Sequence, residues 1–103
     1  MLIVDSEELF QQHAGKSEDY GAQPQAVTVR GPITYVGPDM FGLPCIELGD
    51  EQGGATRVNC VFSDLDYSSI PESGHATISG TDEGYAYEQV VVKQAHLVST
   101  VAD

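Results

Sequence analysis

The chain has 103 residues, of which 41% are hydrophobic, and its sixteen acidic residues against four basic ones give a net charge of −12. This length suits one domain with one modest core, and the hydrophobic content excludes a wholly disordered chain. No apolar run approaches the roughly 20 residues that span a bilayer. The four cations lie singly along the sequence, so they form no basic track for a polyanion.

The N-terminal segment MLIVDSEELF predicts a helix. Asp5 is a suitable N-cap, and Glu8 completes a capping box three residues later. Leu9 and Phe10 share one face, so we expect this helix to pack on the rest of the domain. A polar linker follows at 16–25. Because the segment lacks a basic region, it does not resemble a secretory signal, and we expect a cytoplasmic protein unless an export signal has been removed.

Five strand-like segments punctuated by glycine follow the linker. Their predicted ranges are 25–36, 45–48, 56–62, 75–80 and 88–98. Gly31 and Pro32 interrupt the first segment, where we expect a bulge or a sharp bend that turns a long strand around the corner of a small barrel. A hairpin turn is predicted at 49–54. Between the third and fourth segments, SDLDYSSIPES predicts one short helical turn capped by Ser63 or Asp64.

This order of elements predicts an all-β fold. The architecture that fits is a five-stranded Greek-key barrel of the oligonucleotide/oligosaccharide-binding (OB) type, with an N-terminal α-helix and a short helix between strands three and four. We expect the helix and linker at 1–21, the barrel at 22–99 and a tail at 100–103. An open five-stranded sheet is the alternative, because periodicity alone does not establish closure.

Five short motifs occur in order along the predicted barrel. They are VTVRG at 27–31, GLPCIELG at 42–49, VNCVF at 58–62, GHATISG at 74–80 and VVV at 90–92. Together they resemble the tRNA-anticodon-like family of OB-fold domains over about residues 20–99. The resemblance implies a binding module on an OB barrel, in a family of mostly uncharacterised bacterial proteins, and does not by itself imply tRNA binding. A cysteine common in the family's last strand is replaced by Ala95 here.

The two cysteines, Cys45 and Cys60, flank the predicted hairpin. Alternation places Cys60 on the core side of its strand, with Val58, whereas Cys45 faces outward because its neighbour Ile46 faces the core. Side chains on opposite faces of a sheet cannot be bridged. We therefore predict two free thiols, which favours a reducing compartment.

The binding surface of an OB barrel lies across strands two and three, between the loop joining strands one and two and the loop joining strands four and five. These loops are predicted at 37–42 and 81–87. The candidate ligand-binding side chains on this surface are Phe41, Glu47, Arg57, Asn59, Tyr85 and Tyr87. The alternative is that Phe41 plugs the barrel beneath its loop and the tyrosines cover its mouth.

The charges on this predicted surface weigh against nucleic acid. Sites for single strands combine stacking aromatic rings with a basic groove. The aromatic rings are present, but Arg57 is the one cation that the sequence places here. It is surrounded by four acidic residues, Asp39, Glu47, Asp82 and Glu83.

No pattern in the sequence indicates catalysis, a metal or another cofactor. His13, His75 and His96 fall on three different elements without metal-ligand spacing. Asp64 and Asp66 are explained by capping of the short helix. We therefore predict that the protein is not an enzyme and has no cofactor.

The leading functional hypothesis is a non-catalytic OB-fold module that contacts a protein or a small polar ligand through strands two and three. Binding of single-stranded nucleic acid is an alternative that has fold precedent but is disfavoured by charge. An acidic domain could instead imitate nucleic acid and occupy the basic groove of a partner protein. Homo-oligomers formed through exposed strand edges are a further alternative.

Overall fold

The secondary structure follows the predicted order and adds one short strand at its start; four of the five predicted strands are longer than expected, and the third is shorter. The computed structural model describes residues 2–13, 24–50, 56–71 and 73–102. The elements are β1 Val4–Asp5, α1 Ser6–His13, β2 Gln25–Pro38, β3 Pro44–Gly49, β4 Arg57–Val61, a 3-10 turn at Tyr67–Ser69, β5 His75–Ala86 and β6 Gln89–Val101. Most of the predicted linker and of the 49–54 turn lies outside the described residues. Across the described part of the chain, no helix is long and apolar enough to cross a membrane.

Strands β2 to β6 form a closed barrel. Their order is β2-β3-β4-β6-β5, and β5 pairs back onto β2. All pairings within the barrel are antiparallel except the one between β4 and β6, where 58–60 pair in parallel with 90–92. A five-stranded Greek-key barrel is the OB architecture. The predicted fold class is therefore confirmed, and the open-sheet alternative is wrong.

One long strand, β2, connects two parts of the barrel. Its first part, 25–32, pairs with β5, and its second part pairs with β3 from Ile33 onward. The change of partner falls at Gly31 and Pro32, where the sequence predicts a bend. The bulge itself lies further along, between Ile33 and Tyr35.

Gly31 also allows a close approach that the sequence does not reveal. A methyl group at this position would overlap Oγ and Cβ of Ser6, the first residue of α1. The two-residue strand β1, which pairs in parallel with β2 just before the helix, holds Ser6 in this place. Position 31 therefore determines how closely α1 can lie against the barrel.

Helix α1 fills the interior at one opening of the barrel. It contacts β2, β3, β4 and β6, and Leu9 and Phe10 belong to the central cluster of buried apolar side chains. The Phe10 ring packs against Tyr85, with ring centroids 6.0 Å apart. At the end of the helix, Nε2 of His13 lies 3.0 Å from Oδ2 of the buried Asp82. The helix is thus fixed to the barrel by apolar burial along its length and by a polar contact at its end.

The predicted 81–87 loop is wrong, because most of it is strand. β5 continues to Ala86 and β6 begins at Gln89, which leaves a two-residue turn. Both turn residues, Tyr87 and Glu88, have left-handed backbone angles, with φ of 56° and 63°. Asp82 suggested a turn in the sequence, but its carboxylate accepts the Gly84 N–H at 2.9 Å within a bulged strand. Asp82 and Gly84 therefore stabilise a bulge within β5 and do not form a loop.

The predicted cap of the short helix is also wrong. The turn is a single 3-10 turn that begins at Tyr67, so Ser63 and Asp64 lie too early to cap it. Asp66 is the cap, and its Oδ1 accepts hydrogen bonds from the backbone N–H and the hydroxyl of Ser68 at 3.1 and 2.6 Å. One member of the Asp64/Asp66 pair therefore has a structural role.

Replacing Gly31 with alanine should lower the free energy of unfolding by about 1–3 kcal/mol, the usual cost of inserting a methyl group into a packed site. Chemical denaturation of the two proteins measures this loss. The Ser6→Gly substitution removes both atoms that the new methyl group meets, so Gly31→Ala should cost much less in that background. Equal losses in both backgrounds would place the strain away from Ser6.

Candidate binding groove

The outer surface of β4 and β6 carries a groove, which we call the outer groove. Along both strands, every second side chain faces the core, and the side chains between them face outward. The outer groove encloses about 670 Å³. It is lined by Asp39, Met40, Phe41, Leu43, Asn59, Val61, Ala86, Tyr87, Gln89, Val91 and Lys93.

A loop built around Asp39 forms one wall of the outer groove. Oδ1 of Asp39 accepts hydrogen bonds from the backbone N–H groups of Phe41 and Leu43, each at 2.8 Å. The backbone N–H of Asp39 donates to the carbonyl of Leu43, also at 2.8 Å. These bonds fix the loop backbone, and the side chains of Met40, Phe41 and Leu43 are exposed on it.

Two exposed aromatic rings meet at the mouth of the outer groove. Phe41 is 68% exposed and Tyr87 is 59% exposed. Their ring centroids lie 6.1 Å apart with an interplanar angle of 65°, an edge-to-face arrangement. Phe41 therefore does not plug the barrel, and α1 fills that role instead. An exposed apolar rim of this kind marks interaction sites on soluble proteins.

The floor of the outer groove is apolar apart from two side-chain amides. Val61 and Val91 are buried, and Asn59 and Gln89 lie beside them with 5% and 6% of their surface exposed. Oδ1 of Asn59 is shielded from solvent and has no hydrogen-bond partner among the described residues. Buried polar atoms in folded proteins nearly always have such a partner. The outer groove therefore contains an unsatisfied acceptor.

Three of the six predicted site residues come together here. Phe41, Asn59 and Tyr87 line the outer groove, whereas Glu47 and Arg57 lie on β3 and β4 beyond its edge. Tyr85 does not face outward as expected, because its ring packs on Phe10 against the core. The reason is that β5 continues through this segment and contains a bulge between Asp82 and Gly84, which shifts the alternation so that Tyr85 turns inward opposite Val90. Asp82, expected beside the binding surface, is buried near His13.

The sequence prediction misses the contribution of β6. Gln89, Val91 and Lys93 line the outer groove, because barrel closure places β6 beside β4. The groove thus lies over strands three and five of the barrel, not over strands two and three. The signal was present in the sequence, since alternation along 89–93 separates these side chains from the core residues Val90 and Val92.

Charge in the outer groove is sparse and balanced. Among its described lining residues, Lys93 is the one cation and Asp39 is the one anion. Both charged groups already interact with the protein: Asp39 accepts hydrogen bonds from its own loop, and Lys93 has a partner as well. Beyond the edge of the groove, partial burial raises the pKa of Glu47, and the attraction of Arg57 offsets this rise only in part. Across the described ranges, no three His, Cys, Asp or Glu side chains come together as a metal site.

Both cysteines are free, as predicted. Cys45 pairs across the sheet with Val61 and Cys60 pairs with Ile46, so the two thiols lie on opposite faces. Cys45 is nevertheless fully buried on the outer face. Burial, with smaller effects from the negative charges of Glu47 and Asp39, raises its pKa to about 12. Burial likewise raises the pKa of Cys60.

No protein-family model matches the chain, and no curated protein or solved structure is significantly similar to it. The resemblance to the tRNA-anticodon-like family therefore stays a prediction.

In the native protein, Cys45 and Cys60 should react very slowly with the thiol reagent DTNB at pH 8. The thiolate is the reactive species, and burial suppresses it at both positions. After unfolding in guanidinium chloride, both thiols should react rapidly. Fast release of one equivalent from the native protein would show that one of these thiols is accessible, and the Cys45→Ala variant would identify which one.

Replacing Glu47 with glutamine should raise Tm at pH 7, by no more than about 2 °C because the side chain is only half-buried. A carboxyl group whose pKa is raised on folding favours the native state when protonated, and this benefit is lost as pH rises above its ordinary value of 4.5. The difference in Tm between variant and parent should thus vanish at pH 4 and grow towards neutrality. A lower Tm for the variant at pH 7 would mean that the attraction of Arg57 outweighs desolvation.

Proposed function

We propose that the protein is a non-catalytic OB-fold binding module that captures a short, uncharged segment of a partner protein in the outer groove. One observation carries the proposal: the exposed rings of Phe41 and Tyr87 stand over a floor formed by Val61 and Val91. Aromatic anchors above an apolar floor are the features that supply most of the binding energy at protein interfaces. Membership of the tRNA-anticodon-like family is part of the same proposal.

The balance of charge supports a protein segment over a polynucleotide. Binding of nucleic acid draws its non-specific affinity from several cations that neutralise phosphates. The outer groove offers Lys93 alone among its described lining residues, and the chain as a whole carries −12. An apolar peptide segment needs no such cations. Its side chains lose hydration on the valine floor, which is favourable, and approach no concentrated charge.

Panning a phage-displayed dodecapeptide library against the immobilised protein tests this proposal. Enriched peptides, synthesised with a fluorescent label, should bind the protein in an anisotropy titration. The Phe41→Ser substitution should weaken them by about tenfold or more, as expected for an interface anchor. Val98→Ser is the matched control, because Val98 is an exposed apolar residue of β6 outside the outer groove, and it should leave the affinity unchanged.

Titration of a labelled oligothymidylate at low salt tests the alternative function, binding of single-stranded nucleic acid. We expect no binding below about 10 μM, since weak salt-sensitive affinity is the minimum for a nucleic-acid site. Three results together would make the groove a nucleic-acid site: the oligonucleotide binds tightly, the Phe41→Ser substitution abolishes that binding, and the panning enriches no peptide. Peptides that bind Phe41→Ser as well as the parent would show that the outer groove is not the binding site.

A further inference from the structure

Asn59 is an unusual side chain for the floor of the outer groove. It lies on β4 opposite Glu47 of β3 and opposite Val91 of β6. With 5% of its surface exposed, it is slightly more buried than Val61, which lies two residues along on the same face and is 7% exposed. A leucine has the same branched arrangement of side-chain heavy atoms and would complete an apolar floor. The structure instead holds a polar amide at this position.

The amide of Asn59 lacks a partner within the protein. Its Oδ1 is shielded from solvent, and none of the described residues donates a hydrogen bond to it. Leaving a buried acceptor unpaired costs stability, whereas an apolar side chain of similar shape has no such cost. A bound molecule that brings a donor to the floor would satisfy this acceptor.

The surroundings of Asn59 specify what kind of donor fits. A charged donor would lose its hydration among Val61, Val91 and the aromatic rim, and a nearby carboxylate would be needed to offset that loss. Asp39 already accepts two hydrogen bonds from its own loop, and Glu47, opposite Asn59 on β3, is already attracted by Arg57. A neutral N–H group has a much smaller cost of desolvation. The outer groove therefore suits an uncharged donor attached to an apolar body.

We propose that Asn59 is a specificity-determining residue that recognises the main-chain amide of the bound peptide segment. This inference rests on the function proposed above and adds the chemical group that is read. When the segment binds, the side-chain amide of Asn59 rotates and brings Oδ1 to the groove surface, where it accepts a hydrogen bond from a backbone N–H of the segment. The adjacent apolar side chain then lies on Val61 and Val91 between Phe41 and Tyr87. Selectivity for a peptide over a purely apolar molecule then depends on one hydrogen bond at the floor.

Two small probes isolate this hydrogen bond. N-methyl-3-phenylpropanamide carries one amide N–H donor beside an apolar ring, and methyl 3-phenylpropanoate replaces that N–H with oxygen in nearly the same shape. Each is titrated into ¹⁵N-labelled protein, and the shifts of Phe41, Val61 and Val91 amide resonances are followed. The parent should bind the amide about fivefold more tightly than the ester, the factor expected for one net hydrogen bond.

The Asn59→Leu variant supplies the matching change in the protein. It should bind both probes with equal affinity, and its Tm should rise by about 3 °C or more, because an unsatisfied buried amide is replaced by an apolar side chain. Binding selectivity and stability thus move in opposite directions. A residue with a merely structural role would lose stability on substitution and would not alter the ratio of the two affinities.

Each result decides the matter. A fivefold ratio that disappears in Asn59→Leu, together with a higher Tm, supports the inference. A ratio of one in the parent, an unchanged ratio in the variant, a lower Tm in the variant, or no shift with either probe overturns it. If the panned peptides still bind through Phe41, the proposed function survives this failure. If no peptide depends on Phe41, the proposed function has failed as well.

Discussion

The barrel depends on the sharing of one strand, β2, between two neighbours. Its first half is hydrogen-bonded to β5 and its second half to β3, so this single strand joins the two sides of the sheet. The exchange takes place beside Gly31, where the start of α1 lies against the strand. Strand bending, barrel closure and helix docking therefore meet at one position. A side chain there would disturb all three.

Closure also creates the outer groove. Because β2 pairs with both β3 and β5, the sheet closes, and β4 and β6 lie next to each other in parallel. Their outward side chains then form a common floor, and the Asp39 loop and the Tyr87–Glu88 turn rise on either side of it. Leu9 and Phe10 of α1 belong to the core, whereas Phe41 and Tyr87 project at the surface. The same arrangement that stabilises the domain thus exposes an apolar surface.

The sequence predicted those features that depend on local alternation and failed where distant segments meet. The five strands along the chain and the opposite orientations of Cys45 and Cys60 follow from alternation and from glycine spacing, whereas the closed barrel was expected from OB precedent. The turn at Tyr87 and Glu88 was missed because neither residue is a glycine or an asparagine, the types that favour left-handed backbone.

The site was predicted only in part for the same reason. Phe41, Asn59 and Tyr87 were found from fold precedent, but their β6 neighbours depend on the parallel pairing of strands that are distant in sequence. The lack of a partner for Asn59 is likewise a property of the assembled surface. The contact between Gly31 and Ser6 was missed because β1 is too short to give a strand pattern.

The parallel pairing of β4 with β6 has a consequence for synthesis on the ribosome. β6 is hydrogen-bonded to β4 on one side and to β5 on the other, and both are made before it. While β6 is still being made, β4 and β5 each have an unpaired edge, and their apolar faces are open. Helix α1 is made before the five barrel strands and so has no complete surface to pack on. The domain therefore folds as a unit after β6 emerges, and a ribosome that stalls earlier holds an aggregation-prone chain.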